Sequence, residues 1–277
     1  MFHTKTLLQN GGMCVSIKYM AAKTAAKIIA FSNQKGGVGK TTACVNVATA
    51  LALKGNRVLV VDLDSQSNAT SSLGFFDKNL RNSTYDVIVN DANIKDCILN
   101  TEINELKILP ASKDLAGAEI ELCGLPHRER VLLGALEPIK DEFDYVLIDC
   151  APSLSLLTVN ALVAADSVIV PLVAEYFALE GLAQMMNTIR LVKRNLNPQI
   201  DILGVLIGMY DARVRLAREV KAEVEKLFGE RVFKTTIPRN VRLAEAPSFG
   251  KPIALYDNKC AGAVAYDALA REIIQKI

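Results

Sequence analysis

The sequence predicts a single α/β domain, a mostly parallel twisted sheet with helices on both faces, and three observations predict it. Short β-branched runs recur along the chain, several of them are apolar throughout, and helix-length segments separate them. Strands buried on both faces read as unbroken apolar runs, and regular strand–helix alternation returns the chain to the same end of the sheet, which gives parallel pairing. The chain has 277 residues, 51% of them hydrophobic, enough for one sizeable core.

In chain order the expected strands are KIIAFSN (27–33), RVLVVDLD (57–64), LKILP (106–110), DYVLIDC (144–150), SVIVPLV (167–173), ILGVLIGM (202–209) and VFKTTIP (232–238). The expected helices are 41–54, 153–164, 179–195, 213–228 and 262–277. The last carries Val264, Leu269, Ile273, Ile274 and Ile277 among charges of both signs, which fits a helix packed at the sheet better than one lying in a membrane. No repeat, low-complexity tract or Pro/Gly-rich linker interrupts the pattern, so 27–277 is expected to be one domain. Residues 1–26 are weakly basic and mixed and lack the apolar block of a signal peptide. They are expected to be a poorly ordered extension, or a start misassigned upstream of Met13 or Met20.

Composition excludes several function classes. With 32 Lys and Arg against 30 Asp and Glu, a net charge of +2 gives no chain-wide argument for nucleic acid or membrane, and any such partner needs a local patch. The six cysteines are scattered without a C-x-x-C pair, and His3 and His127 are the only histidines, so neither a zinc site nor an acyl-transfer triad can be assembled. Cys44, Cys97 and Cys150 fall in apolar runs and are expected to be buried reduced thiols, consistent with a cytoplasmic protein.

The stretch IIAFSNQKGGVGKTT (28–42) places a glycine-rich turn between a strand and a helix. In that context glycines let backbone N–H groups wrap a phosphate, and the helix start adds its own N–H donors. Gly36, Gly37, Val38, Gly39, Lys40, Thr41 and Thr42 are therefore the expected phosphate-binding set, with Lys40 neutralising the β- and γ-phosphates and Thr41 offering its hydroxyl to Mg2+. Gln34 stands where the usual phosphate loop has its first glycine, and Lys35 is a second lysine to which this chemistry assigns no task.

Magnesium on a triphosphate needs carboxylates at the ends of neighbouring strands. Asp149 ends DYVLID, the expected place for an acid that holds the metal directly or through water. Asp62 and Asp64 end the second strand two residues apart, on one face if the strand continues, and one of them is a candidate for orienting the attacking water. Thr41, Asp62, Asp64 and Asp149 are thus the candidate metal set, and Lys40 with one of Asp62 and Asp64 the candidate catalytic residues. The chemistry these groups support is phosphoryl transfer to water.

QKGGVGKTT, VVDLDSQSNATSSLG, YVLIDCAPS, EYFALEGL, GMYDAR and TTIPRNVRLAEAPSFGKPI together resemble the deviant Walker-A ATPases of the ParA/Soj type, which partition chromosomes and plasmids, over nearly all of 27–277. The resemblance implies a P-loop NTPase fold, ATP and Mg2+ as ligands, and hydrolysis of ATP to ADP and phosphate. It implies that Lys35 crosses the interface of an ATP-bound homodimer to the partner's nucleotide, and that Asp64 positions water. It also places Pro238 and Asn240 on the adenine side, with Met209 and Asp211 near the same pocket. The implied partners are nonspecific double-stranded DNA and a ParB/Spo0J-type protein that stimulates hydrolysis, with nucleoid association and no stable membrane association. Three departures occur: Ser65 stands where the family usually has Pro, Ala151 where it has Pro, and Gly208 where it has Thr. None removes a charged or phosphate-binding group, although Ser65 does not fix φ as Pro would.

From Asp211 to Leu243 nine basic residues face five acidic ones. Leu216, Val220, Val224 and Leu227 form an apolar stripe at helical spacing, with Arg215, Arg218 and Lys221 on a neighbouring edge and Arg213 opening the helix. Alone, such a cluster reads as a solvated face. The resemblance points instead to DNA binding by Arg213 and Arg242, with Arg215 and Arg218 behind them. The alternative is a MinD-like membrane-cycling ATPase, which needs a basic amphipathic tail that 262–277 does not supply. An iron-sulfur reductase would need cluster cysteines that Cys123 and Cys150 do not provide, and a scaffold without turnover is the remaining alternative.

Overall fold

A computed structural model describes residues 25–76, 80 and 82–277. The extension expected over 1–26 lies outside the described residues except for Ala25 and Ala26. Ala26 is already buried, and its N–H donates to the Lys140 carbonyl at 2.9 Å.

Seven strands form one sheet: β1 (Lys27–Phe31), β2 (Val58–Leu63), β3 (Leu99–Asn100), β4 (Leu106–Leu109), β5 (Tyr145–Cys150), β6 (Ser167–Val173) and β7 (Asp201–Gly208), in the order β3-β4-β2-β5-β1-β6-β7. All pairs are parallel except β3 with β4. The unbroken apolar runs are explained by two cores. Ile28 and Ala30, Leu59 and Val61, and Val146 and Ile148 enter one core with the helices Leu156–Ala164, Ala178–Asn195 and Arg215–Phe228. Their alternates Ile29 and Phe31, Val58 and Val60, and Tyr145 and Leu147 enter the other with Lys40–Ala52 and Ala261–Lys276. The period of two is present, but both faces of the sheet are apolar.

The sheet departs from expectation at both edges. β3 is two residues long, too short for any periodicity to mark it. The seventh expected strand, 232–238, does not form: it meets β7 at separated points, where the Phe233 N–H donates to the Val205 carbonyl at 3.0 Å and the Ile237 N–H to the Ile207 carbonyl at 2.9 Å, and makes only isolated bridges, Val205 with Val232 and Tyr210 with Pro238. The N–H groups of Lys234 and Thr235 donate to the Glu272 carboxylate at 2.8 and 3.0 Å instead of to a neighbouring strand. The edge also carries a register shift between Val168 and Ile169, opposite which Leu203 is skipped.

Beside that shift, Gly204 lies under the ring of the fully buried Phe233, and an added Cβ would overlap the ring. Overpacking of this kind costs about 2 kcal/mol, so Gly204→Ala is expected to lower the melting temperature by roughly 4–6 °C. A calorimetric scan showing no change contradicts that contact.

The helix expected at 213–228 begins at Arg215, because Asp211 arrests the chain: its carboxylate accepts the Arg213 N–H at 3.0 Å and its carbonyl the Val214 N–H at 3.1 Å. The buried stripe of that helix is Ala217, Val220 and Val224, whereas Leu216 and Leu227 are exposed. The final helix packs along Lys40–Ala52 and buries Tyr266, Leu269 and Ile273 there, leaving Val264, Ile274 and Ile277 exposed. Cys44, Cys97 and Cys150 are free and buried, as expected.

Candidate nucleotide site

β1 leads straight into the glycine turn. Asn33, 1% exposed, pins its start: the amide donates to the Pro171 carbonyl at 2.7 Å, and the side-chain oxygen accepts the Lys35 N–H at 3.0 Å. Gly37 and Gly39 have φ of 73° and 84°, a region open to glycine and strained for other residues. Gly39 is the N-cap of Lys40–Ala52, and no side chain caps that helix. Its first N–H groups and the positive end of its dipole are therefore presented to an anion. Lys40 is buried, and its Nζ donates to the Lys35 carbonyl at 3.1 Å, closing the loop on itself. Burial lowers the Lys40 pKa, and the nearby Asp149, Cys150 and Asp64 partly oppose that.

The carboxylates share the side of the sheet on which this helix lies. Asp62 follows Val58 and Val60, and Asp149 follows Tyr145 and Leu147, in the alternation that faces Lys40–Ala52. The two are register partners across β2 and β5, and both are fully buried. Their surroundings differ sharply. Asp62 accepts three hydrogen bonds, from the Thr70 N–H (2.8 Å), the Thr70 hydroxyl (2.6 Å) and the Asp64 N–H (3.2 Å). Burial, opposed by these donors, still raises its pKa to about 6. Neither oxygen of Asp149 has a hydrogen bond of good geometry. Burial and then Asp62 push the Asp149 carboxyl well above the usual carboxylate range, and Thr41 and Lys40 offset only part of this. Asp64 is also buried, and its Oδ1 accepts the Gln66 N–H at 3.0 Å.

A buried carboxylate with both oxygens bare is a costly arrangement unless a cation completes it. Among the described residues no three His, Cys, Asp or Glu side chains gather to hold a metal by themselves. Thr41 and Asp149 beside a glycine cradle instead fit a magnesium ion whose remaining oxygen ligands come from phosphate and water.

Lys35 points elsewhere. Its Nζ is 2.8 Å from Oε2 of Glu175, and both side chains are substantially exposed, at 37% and 55%. Tyr176 and Phe177, packed edge to face at 5.0 Å, stand exposed next to Glu175. Lys35 is thus not gathered with Lys40. Sequence reasoning passed over Glu175 and Asn33, yet Glu175 follows a strand end just as Asp149 ends one, and that signal would have found it.

On the other side of the loop is a cavity of about 430 Å3, bordered by Val38, Thr42, Met209, Pro238, Asn240 and Tyr266. Met209 adopts a left-handed φ of 50°, and its Cε comes 3.9 Å from the position a Cβ on Gly39 would take. The Asn240 side-chain oxygen caps the helix Val241–Glu245 by accepting the Arg242 N–H at 2.8 Å. Asp211 is not part of this lining; its carboxylate grips Arg213 at 2.7–3.3 Å, which holds its pKa down at about 2.

The two arginine regions are joined by backbone bonds. The Tyr210 N–H donates to the Ile237 carbonyl at 2.9 Å, and the Arg239 N–H to the Tyr210 carbonyl at 3.3 Å. Arg213 and Arg215 are 90% and 85% exposed and pair with Asp211 and Glu219; Arg242 pairs with Glu245 at 2.9 Å. Arg218 donates to the Ala212 carbonyl at 2.8 Å. Exposed pairs of this kind are worth about 0–1 kcal/mol, so they do not lock the arginines away from a stronger anion.

A parallel sheet, a glycine cradle at its centre, an uncapped helix N-terminus and paired strand-end carboxylates define a P-loop NTPase, and residues 26–202 match the family described as AAA domain. The chain is 54% identical over 247 residues to sporulation initiation inhibitor protein Soj of Bacillus subtilis, covering 89% of this chain and 98% of Soj. It is 50% identical over 253 residues to chromosome partitioning protein ParA of Myxococcus xanthus, covering 91% and 89%. The solved structure of cobyrinic acid a,c-diamide synthase from Mycobacterium smegmatis with bound ADP and magnesium aligns at a TM-score of 0.80 and 37% identity, covering 90% of this chain and 94% of that one. The chain belongs to the ParA/Soj family of chromosome-partitioning ATPases. Among the described residues no helix is long and apolar enough to cross a membrane.

Proposed function

We propose that this protein is a DNA-partitioning ATPase: ATP binding drives a sandwich homodimer that binds DNA without sequence preference, and Mg2+-dependent hydrolysis to ADP and phosphate, stimulated by a ParB/Spo0J-type partner, releases it. The observation that carries the reading is the division between the two lysines. Lys40 is buried in its own loop near Asp149, whereas Lys35 stands at the surface on Glu175, where a second chain can reach it. In this reading the glycine cradle and Lys40 hold the phosphates, Thr41 and Asp149 hold magnesium, Asp62 supports the same ion, and Asp64 positions water. The cavity beside Pro238 and Asn240 takes the adenine, with Met209 at its rim and Asp211 just outside. Magnesium supplies charge neutralisation at the transferring phosphoryl group. Arg213, Arg215, Arg218 and Arg242 face DNA, and their phosphate contacts carry no sequence information.

Lys35→Ala tests the division. ATP affinity is expected to stay within about threefold of wild type, because Lys40 remains as the in-loop phosphate cation. ATP-dependent dimerisation and DNA binding are expected to weaken together. Light scattering at saturating ATP that shows an unchanged dimer contradicts the assignment.

A further inference from the structure

Thr70 is absent from the phosphate loop and the strand ends, yet it has more bonds to the carboxylate pair than any other described residue. We propose that Thr70 is a positioning residue of the hydrolytic site, the side chain that fixes the Asp62 carboxylate in the orientation from which it serves the magnesium ion or its water. The inference rests on the ATPase reading above.

Three observations carry it. Asp62 and Asp149 are register partners, equally buried, yet among the described residues one accepts three hydrogen bonds and the other none of good geometry. Thr70 supplies two of the three, its N–H and its hydroxyl both donating to Oδ2 at 2.8 and 2.6 Å. That leaves Oδ1, which accepts only the longer 3.2 Å bond from the Asp64 N–H, as the less engaged oxygen.

The second observation concerns the hydroxyl proton. The Thr70 Oγ1 also accepts the Ala111 N–H at 3.0 Å. An amide can only donate, so the single hydroxyl proton is committed to Asp62. Thr70 is 1% exposed, and water does not compete for that bond.

Third, the backbone of Asp62 is secured without Thr70. Its carbonyl accepts the Thr84 hydroxyl at 2.9 Å, the Thr84 N–H donates to the Pro110 carbonyl at 2.8 Å, and β2 is paired on both sides. Removing the hydroxyl therefore takes away the shortest of the three bonds and loosens the carboxylate, which keeps the Thr70 and Asp64 N–H bonds, without releasing the strand. Thr70 also lies in the short helix Asn68–Ser72 directly after the Asp64 turn, so one residue ties the water-positioning segment to the acid across from Asp149.

The test uses the full chain with Thr70→Val, which removes the hydroxyl at nearly constant volume, with Thr70→Ser, which keeps it, and with Thr70→Ala as the smaller alternative should valine disturb folding. Turnover is measured against Mg2+, and binding of a fluorescent N-methylanthraniloyl ATP is measured with Mg2+ and in EDTA. Removing an outer-shell partner weakens metal affinity or activity by about 10–100-fold, so Thr70→Val and Thr70→Ala are expected to raise the Mg2+ half-saturation and lower kcat by about that factor. Binding in EDTA is expected to stay within about twofold, and Thr70→Ser within about threefold of wild type throughout. Unchanged Mg2+ half-saturation and kcat in Thr70→Val overturns the proposal, and so does a serine variant as impaired as the valine. A wild-type chain that binds no ATP or turns none over overturns the ATPase reading itself.

Discussion

Lys40→Ala is expected to reduce ATP affinity by roughly 100-fold or more, the loss that follows from about 3 kcal/mol of a desolvated charge-assisted contact. The magnitude rests on burial. Lys40 is 6% exposed, its ammonium has one hydrogen-bond acceptor among the described residues, the Lys35 carbonyl at 3.1 Å, and desolvation lowers its pKa. An ammonium held this way is poorly compensated until phosphate arrives, so its interaction with phosphate is little weakened by water. The uncapped N-terminus of Lys40–Ala52 supplies the remaining donors, and these stay in the variant. Calorimetric titration with ATP and Mg2+ checks the prediction, and an affinity within about threefold of wild type contradicts it.

Asp149→Asn is expected to separate activity from stability. In the metal-free chain the Asp149 carboxylate is buried with no hydrogen bond of good geometry among the described residues, and Asp62 faces it. Both carboxyls have raised pKa values in the fold, Asp62 about 6 and Asp149 well above its ordinary value. A carboxyl whose folded pKa is raised binds its proton more tightly in the folded state. Its favourable contribution is complete below about pH 4 and is lost as pH rises through the folded value. The melting temperature of the metal-free protein is therefore expected to fall as pH rises from about 4 through the Asp62 value of about 6 and beyond it for Asp149, and Asp149→Asn to flatten the later part of that fall. Where the wild-type carboxyl ionises at alkaline pH the variant is expected to melt higher, because a neutral amide takes the place of a buried charge. Mg2+-dependent turnover is expected to drop by about 100-fold or more as the metal's bare acceptor disappears. A variant that is less stable than wild type at alkaline pH while retaining turnover contradicts both halves.

Much of this site was legible in the sequence because its parts are local. A glycine turn between an apolar strand and a helix, and acids at strand ends, are read from consecutive residues, and Lys40, Asp62 and Asp149 are found together where that reading put them. What escaped was set by long-range partners. Thr70 matters through Asp62 and Ala111, the latter 41 positions away, and Glu175 through Lys35, 140 positions away. The strand expected at 232–238 has the right composition, but Glu272, in a helix far along the chain, takes the Lys234 and Thr235 amides from its middle. Arg213 reads as helical until Asp211 claims its N–H. Composition fixes which segments are apolar; which hydrogen bonds an edge segment makes depends on neighbours it meets only after folding.

The central claim is that ATP controls a two-chain form that holds DNA. Sedimentation of the wild-type chain with ATP, with ADP and without nucleotide, each with and without a random-sequence duplex, tests it most directly. The expected result is a dimer with ATP alone and DNA co-sedimentation with ATP only, weakening steeply as salt rises because the contacts are to phosphate. A monomer at saturating ATP, or equal DNA binding in all three nucleotide states, contradicts the claim.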